Sequence, residues 1–369
     1  MKATARSQLL ANVRRVVVKV GNSVLAELPV ARIRALAEDV AQLRQGGLEV
    51  LVVTSGSIDL GMRKLDLKRR PHQMPLLQAA SAVGQVTLMQ TYEDALSAHG
   101  IPVAQVLLSH YDLACSASFL RARHTLMALL DYSVVPVINE NDSVAVSDIR
   151  SDNDLLAARI PRLVEADLLV MLTAAEGIYA TSPRKGGRVI PVVDDIDALA
   201  GRIEQSLSSG TVQRSLASKV RAAQLAAAHG VPSVIASGVR TGVLGNILDD
   251  ETTGTLLVPA ALRRSRRSWI AEDLEPVGQL GVSEETRISL MEGNHSLLAS
   301  GVSTAGGTFA QGDMVQVLGP DGVEFARGLV GYSVEELDRI RGQGPDEIEK
   351  LLGYKHYEEV VRRDDLVIL

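Results

Sequence analysis

Val134-Val135-Pro136-Val137-Ile138-Asn139-Glu140-Asn141-Asp142, followed ten residues later by Asp152-Asn153-Asp154, is the stretch from which the rest of the chain is read. A run of β-branched residues ends abruptly in amides and carboxylates. Buried parallel strands read as continuous apolar runs, and open α/β sheets bind ligands just past the carboxyl ends of such strands. Carboxylate oxygens accept from an ammonium and amide nitrogens donate to a carboxylate, so this polar cluster suits a small zwitterion. The plainer reading is a polar turn with helix caps, where Asn and Asp are the expected residues.

Working outward, strand-like and helix-like segments alternate from about residue 14 to 260. Val16–Val20, Glu49–Val53, Pro102–Leu107, Val134–Ile138, Asp167–Leu172 and Pro232–Ala236 are expected strands. Val30–Gln45, with Ile33, Leu36, Val40 and Leu43 on one face, is an expected helix. So are Leu76–His99, Ala117–Leu130, Leu155–Val164 and Leu216–His229; Pro161 is expected to kink or end the fourth of these. The alternation predicts an α/β fold with a mostly parallel central sheet sandwiched by helices. After residue 260 the pattern changes to short runs punctuated by glycine, which predict a small barrel-like β domain with helices near 334–342 and 346–352 and a closing strand at 364–369. The expected division is 1–260, a basic linker 261–274 and a C-terminal domain 275–369.

Composition narrows the function. The chain has 369 residues, 46% apolar and 22% charged, with a net charge of −6 and 3% aromatic residues. An acidic, aromatic-poor chain argues against a polyanion or stacked-base partner, and Arg263, Arg264, Arg266 and Arg267 read as a solvated linker rather than an RNA contact. Cys115 is the single cysteine, so no intramolecular disulfide forms and a reducing, cytoplasmic setting is expected. No run of about 18 apolar residues predicts a membrane span, and no signal-peptide pattern opens the chain.

Several strand ends carry candidate chemistry. Lys19 stands just before Gly21, where an ammonium could meet a phosphate and a glycine could let backbone approach it. Thr54-Ser55-Gly56-Ser57 offers hydroxyls and N–H groups at a helix start, either an anion site or an ordinary cap. Ser208-Ser209-Gly210-Thr211 precedes the helix of Ser218 and Lys219, and that lysine is either a second phosphate clamp or a solvated surface cation. No HExxH, His/Cys metal cluster, serine-triad order or GxxxxGK[ST] loop occurs, and no metal-ligating residues are expected.

Taken in order, VVVKVGNSVL, VVTSGSIDLG, AVGQ, VPVINENDSVAV, DND and EGIYATSPR resemble the glutamate 5-kinase family of the amino-acid kinase superfamily, and SLLASGV, FAQGDMVQV and RRDDLVIL resemble its C-terminal PUA domain. The resemblance covers residues 14–369. It implies ATP-dependent phosphorylation of the γ-carboxylate of L-glutamate, the first step of proline biosynthesis, with Mg²⁺ carried by ATP. By matching positions, Lys19, Asp154 and Lys219 would be catalytic, with Asp154 orienting the two lysines. Ser55, Asn139, Asp142 and Asn153 would hold glutamate, and Lys19, Gly21, Thr173, Ala174, Ser218 and Lys219 would meet the nucleotide. Proline feedback and a homodimer or homotetramer are further expectations of the resemblance.

This chain also departs from the family. Val212-Gln213-Arg214-Ser215-Leu216 replaces a glycine-rich segment, Thr173-Ala174 replaces Thr-Asp, and the glycine before DND is replaced by Ser151 or lost, the spacer from NEND being one residue shorter. Three alternatives stay open at this point: a catalytically weakened glutamate- or proline-binding regulator, a kinase of another small acidic amino acid, and an RNA-binding module.

Overall fold

The computed structural model describes residues 2–26, 28–144, 153–181, 186–208, 214–249, 253–260, 275–293 and 295–369. It forms two compact units, Met1–Tyr111 with Thr125–Arg263, and Asp112–His124 with Arg264–Leu369. Residues 112–124, which lie inside the expected first domain, group with the second unit. The expected connector 261–274 lies outside the described residues.

The first unit is built on eight strands: β1 Arg15–Val20, β2 Glu49–Val53, β3 Val103–Leu108, β4 Val135–Glu140, β5 Leu168–Thr173, β6 Val192–Val193, β7 Ser233–Ser237 and β8 Thr255–Leu257. Their order across the sheet is β3-β4-β2-β1-β5-β7-β8-β6. Every pairing is parallel except β7 with β8. The chain leaves β1 toward β2 on one side and later returns to β5 on the other, so the crevice past β1 is a topological switch point.

Successive strand residues face opposite sides of a sheet. Val16, Val18 and Val20 of β1 join a buried cluster with Ile33, Leu36 and Val40 of the helix Pro29–Gln45, and Leu88 and Tyr92 of the helix Met74–Ser97. Val17 and Lys19 point the other way and are equally buried, on the side where the helices Asn153–Leu163 and Arg214–Ala228 pack. Both faces are covered, which is why the strands read as unbroken apolar runs. Pro136 sits inside β4, yet β2 pairs with β4 only from Val137 onward, so the missing N–H falls short of that ladder.

One helix corrects the sequence expectation. Asn153–Leu163 continues two residues past Pro161 rather than ending at it. Pro161 lies in the last turn, where few later residues depend on it, and the carbonyls of Ile160 and Pro161 still accept from Val164 and Ala166. The helices Ile196–Ser208 and Val243–Asp249 and the short strands β6 and β8 were not foreseen.

The second unit has a five-stranded sheet ordered Val302–Gly307, Gly278–Val282, Met314–Leu318, Glu324–Leu329 and Leu366–Ile368. All its pairings are antiparallel except Gly278–Val282 with Met314–Leu318. Ser333 opens the helix Val334–Ile340 with a reciprocal Ser333–Glu336 capping box. Phe309, Tyr332, Leu337 and Val360 lie in its core.

Candidate active site

The carboxyl ends of β1, β2 and β4 open onto a cavity of ≈ 300 Å³. Its described lining includes Lys19, Gly21, Ser55, Ser57, Asp142, Asn153, Asp154 and Lys219. Of the residues singled out from sequence, Asn139, Thr173, Ala174 and Ser218 do not line it.

The centre of the site is a buried ion triad. Lys19 lies at the end of β1, Asp154 in the first turn of Asn153–Leu163, and Lys219 in Arg214–Ala228. Lys19 Nζ pairs with Asp154 Oδ1, and Lys219 Nζ donates to Asp154 Oδ2 at 2.9 Å. The exposures are 4%, 1% and 6% for Lys19, Asp154 and Lys219. Burial pushes the Asp154 carboxyl up, but the ammonium groups of Lys19 and Lys219 outweigh it and hold the group below the usual carboxylate range. Two like charges this close need a counter-charge between them, and Asp154 supplies it.

A second cluster surrounds Asn153. Its Nδ2 lies 2.7 Å from the Thr54 carbonyl, 2.9 Å from Asn139 Oδ1 and 3.1 Å from Ser55 Oγ; with two hydrogens it serves two of these at once. Asn139, 1% exposed, donates in turn to Gln85 Oε1 at 2.8 Å, and Gln85 to Gln105 at 3.0 Å. Asn139 therefore stands one layer behind the cavity and fixes the Asn153 amide. Thr54 is anchored by its N–H to the Ile138 carbonyl and by its hydroxyl to Tyr92, 2.9 Å away.

Asp142 forms a third cluster. Ser81 Oγ donates to its Oδ2 at 2.6 Å, Ser57 Oγ lies 3.4 Å from the same oxygen, and the two hydroxyls are 2.9 Å apart. Burial raises the Asp142 carboxyl above its usual value, against the hydrogen bonds of Ser81 and Ser57 and the charge of Arg70. The Thr54–Ser57 segment was read as either an anion site or an ordinary cap, and no side chain caps the helix that starts there. Its Ser57 hydroxyl instead faces a carboxylate, while Gly56 takes a left-handed turn at φ 100° into the helix Ser57–Lys64.

Gly21 has a different reason from the one expected. Its N–H donates to the Leu172 carbonyl at 3.0 Å, and a Cβ there would sit 2.9 Å from that oxygen. The glycine allows tight packing on β5, and its N–H is not available to a phosphate. Thr173 ends β5 with its carbonyl accepting from Gly238, and Ala174 is exposed. The hydroxyl of Ser218 is buried and has no hydrogen-bond partner among the described residues. Ser151, Asp152, and residues 209–213 of the segment before Lys219 lie outside the described residues; Ser215 lines the cavity.

Sequence reasoning missed Ser81, Gln85, Asn22, Asp59 and Arg70. Asn22 donates to Asp59 at 2.7 Å, and Arg70 pairs with Asp59 at 3.4 Å on the cavity wall. The available signal was helical spacing: Ser81 and Gln85 are four apart, on one face of Met74–Ser97. Among the described residues no group of three or more His, Cys, Asp and Glu could hold a metal ion. The cavity's carboxylates are engaged by lysines, serines, Asn22 and Arg70, so they offer no cage for Mg²⁺. No helix of the described residues is long and apolar enough to cross a membrane.

Residues 14–237 match the model of the amino acid kinase family, and residues 278–352 match that of the PUA domain. A glutamate 5-kinase of Pelobacter propionicus is 41% identical over 99% of this chain and 100% of its own length. That of Trichlorobacter lovleyi is 43% identical over 99% of both chains. That of Thermus thermophilus is 41% identical over 96% of this chain and 97% of its own.

Proposed function

The chain belongs to the amino acid kinase family, among the glutamate 5-kinases, and from that membership we propose that it transfers the γ-phosphoryl group of ATP to the γ-carboxylate of L-glutamate. The observation that carries the assignment of roles is the meeting of Lys19 and Lys219 on Asp154 at the cavity wall, 200 residues apart in sequence.

Asp142 accepts the substrate ammonium, and Ser55 and Asn153 hold the amino acid beside it. A glutamate γ-carboxylate, with a reference pKa near 4.3, is already an anion at neutral pH and needs no general base. One of its oxygens attacks the γ-phosphorus. The bond from that phosphorus to the β–γ bridging oxygen breaks, and ADP leaves with the electron pair. Catalysis is then positioning and charge neutralisation. Lys19 and Lys219 turn their ammonium groups to the transferring phosphoryl oxygens, and Asp154 keeps both lysines aimed. Ser218 offers its unpartnered hydroxyl to the nucleotide, with Thr173 and Ala174 beside the base or ribose. Mg²⁺ would be carried by ATP rather than held by the protein, and would supply charge neutralisation to the phosphates.

Glutamate-dependent ADP release by the full chain tests this reading. Turnover with glutamate, lost in Lys219→Ala and Asp154→Ala, is expected; preference for aspartate, N-acetylglutamate or another acid overturns the assignment. The same reading makes the enzyme cytoplasmic, a dimer or tetramer, and inhibited by proline, with no RNA role. Light scattering and a proline titration check the oligomer and the inhibition.

A further inference from the structure

The Asp142 carboxylate is held in an unusual way for a group meant to meet a cation. Both hydroxyls approach one oxygen, Oδ2, and among the described residues Oδ1 has no hydrogen-bond partner. Ser57 and Ser81 are each 3% exposed and come from different helices, Ser57–Lys64 and Met74–Ser97. Those helices touch backbone to backbone. A Cβ on Gly61 would lie 1.7 Å from the Ala80 carbonyl oxygen, and one on Gly84 would lie 1.8 Å from that of Ser57. Only glycines permit that approach, and it brings the two serines within 2.9 Å of each other.

We infer that Ser81, aided by Ser57, is a positioning residue for the acceptor amino acid: it fixes the Asp142 carboxylate through Oδ2 and leaves Oδ1 turned to the substrate ammonium. This inference rests on the reading of the cavity as a glutamate site. A carboxylate with one oxygen tied down presents the other in a single orientation, and the hydroxyl donor also favours the ionised form that an ammonium requires. Burial works against that ionised form, so the hydroxyls matter more here than on a solvated carboxylate.

Other charged groups bear on Asp142 and stay in place when the serines are changed. Arg70, from the segment between the two helices, favours its ionised form. Asp59 of Ser57–Lys64 is engaged by Asn22 and Arg70. Lys19 and Lys219 are paired with Asp154. Glu140, two residues earlier on β4, lies 3.9 Å from His110.

The test uses the full chain with Ser81→Ala, Ser57→Ala and the double variant, measuring kcat, both KM values and the pH profile of kcat/KM for glutamate. Expected for Ser81→Ala is a rise of about tenfold in KM for glutamate, the size of one lost charge-assisted hydrogen bond. The KM for ATP stays unchanged, kcat moves less than about twofold, and the acidic limb for glutamate shifts to higher pH. Ser57→Ala gives the same changes in smaller measure, in keeping with its longer contact. An unchanged glutamate KM and acidic limb overturn the inference, as does a parallel loss in kcat and both KM values with a lowered melting temperature, which marks a merely structural role. A wild type inert toward glutamate removes the reading of the site and this inference together; an active wild type with an unaltered Ser81→Ala removes this inference alone.

Discussion

Asp154 in the first unit and Asp365 in the second are each 1% exposed, and each bridges two basic side chains. Asp365 accepts from Arg123 Nε at 2.7 Å and lies 2.5 Å from His124 Nε2, while Arg123 also donates to the Asp364 carbonyl at 2.8 Å. In both, burial lifts the carboxyl and the basic partners more than reverse it, leaving it below its usual value. The partners differ in kind. Lysines are point charges on flexible stems that can swing from an aspartate to a phosphate. The guanidinium of Arg123 is a rigid fork with two acceptors already in place, and the His124 ring packs edge-on against Tyr357 at 4.9 Å. The Asp154 triad lines an open cavity, whereas Leu120, Met314 and Leu329 form an apolar cluster in the second unit. On the proposed roles, the same buried motif would serve reaction where flexible ammonium groups hold it and structure where a rigid guanidinium fork does.

That contrast can be broken most decisively at Lys219. Lys219→Met should lower kcat by about a thousandfold or more, the scale of losing one preorganised charge on a developing anion. Lys19 still pairs with Asp154 in this variant, so circular dichroism should report a folded protein. Lys219→Arg should not restore turnover; recovery to about a tenth of wild type or better would mean that fork and point charge are interchangeable here.

Next in size is Asp365→Asn. It leaves a buried guanidinium without its counter-charge, and urea unfolding should lose about 3 kcal/mol. Glutamate turnover under native conditions should change less than about twofold. A drop in kcat with unchanged unfolding would erase the division between a reactive and a structural centre.

The smallest effect is pH dependence, and here the two units should part. Asp142 titrates above the ordinary aspartate value, so as pH falls through that raised value the carboxylate is protonated and loses the substrate ammonium. Below it, kcat/KM for glutamate should fall about tenfold per pH unit while the protein stays folded. Asp365 is depressed, so its stabilisation is complete above the unfolded-state value near 3.9 and is lost only as pH falls through the lower folded value. Activity should therefore fail at a higher pH than the Asp365 centre, and coincident midpoints by activity and near-ultraviolet circular dichroism would contradict the assignment.

Much of the site was legible because its parts are local. Lys19, Ser55, Asp142, Asn153 and Asp154 each sit at a strand end or a helix start, where an apolar run stops and polar residues begin. The strands β1, β2, β4 and β5 were readable for the same reason. Ser81 was not, because its role exists only after Gly61 and Gly84 let two helices touch, and nothing in the local pattern assigns a glycine to that contact. Arg123 was missed likewise: its partner lies 242 residues away, in what reads locally as a polar tail. The strands β6 and β8 are two and three residues long, too short to carry a period.

The cavity wall carries Lys19, Arg70 and Lys219 against Asp59, Asp142 and Asp154. Ionised, these charges from the described residues cancel, so they cast little net field into solvent. Capture of two anionic substrates should then depend only weakly on ionic strength, unlike a steered encounter, whose rate falls steeply as salt is added.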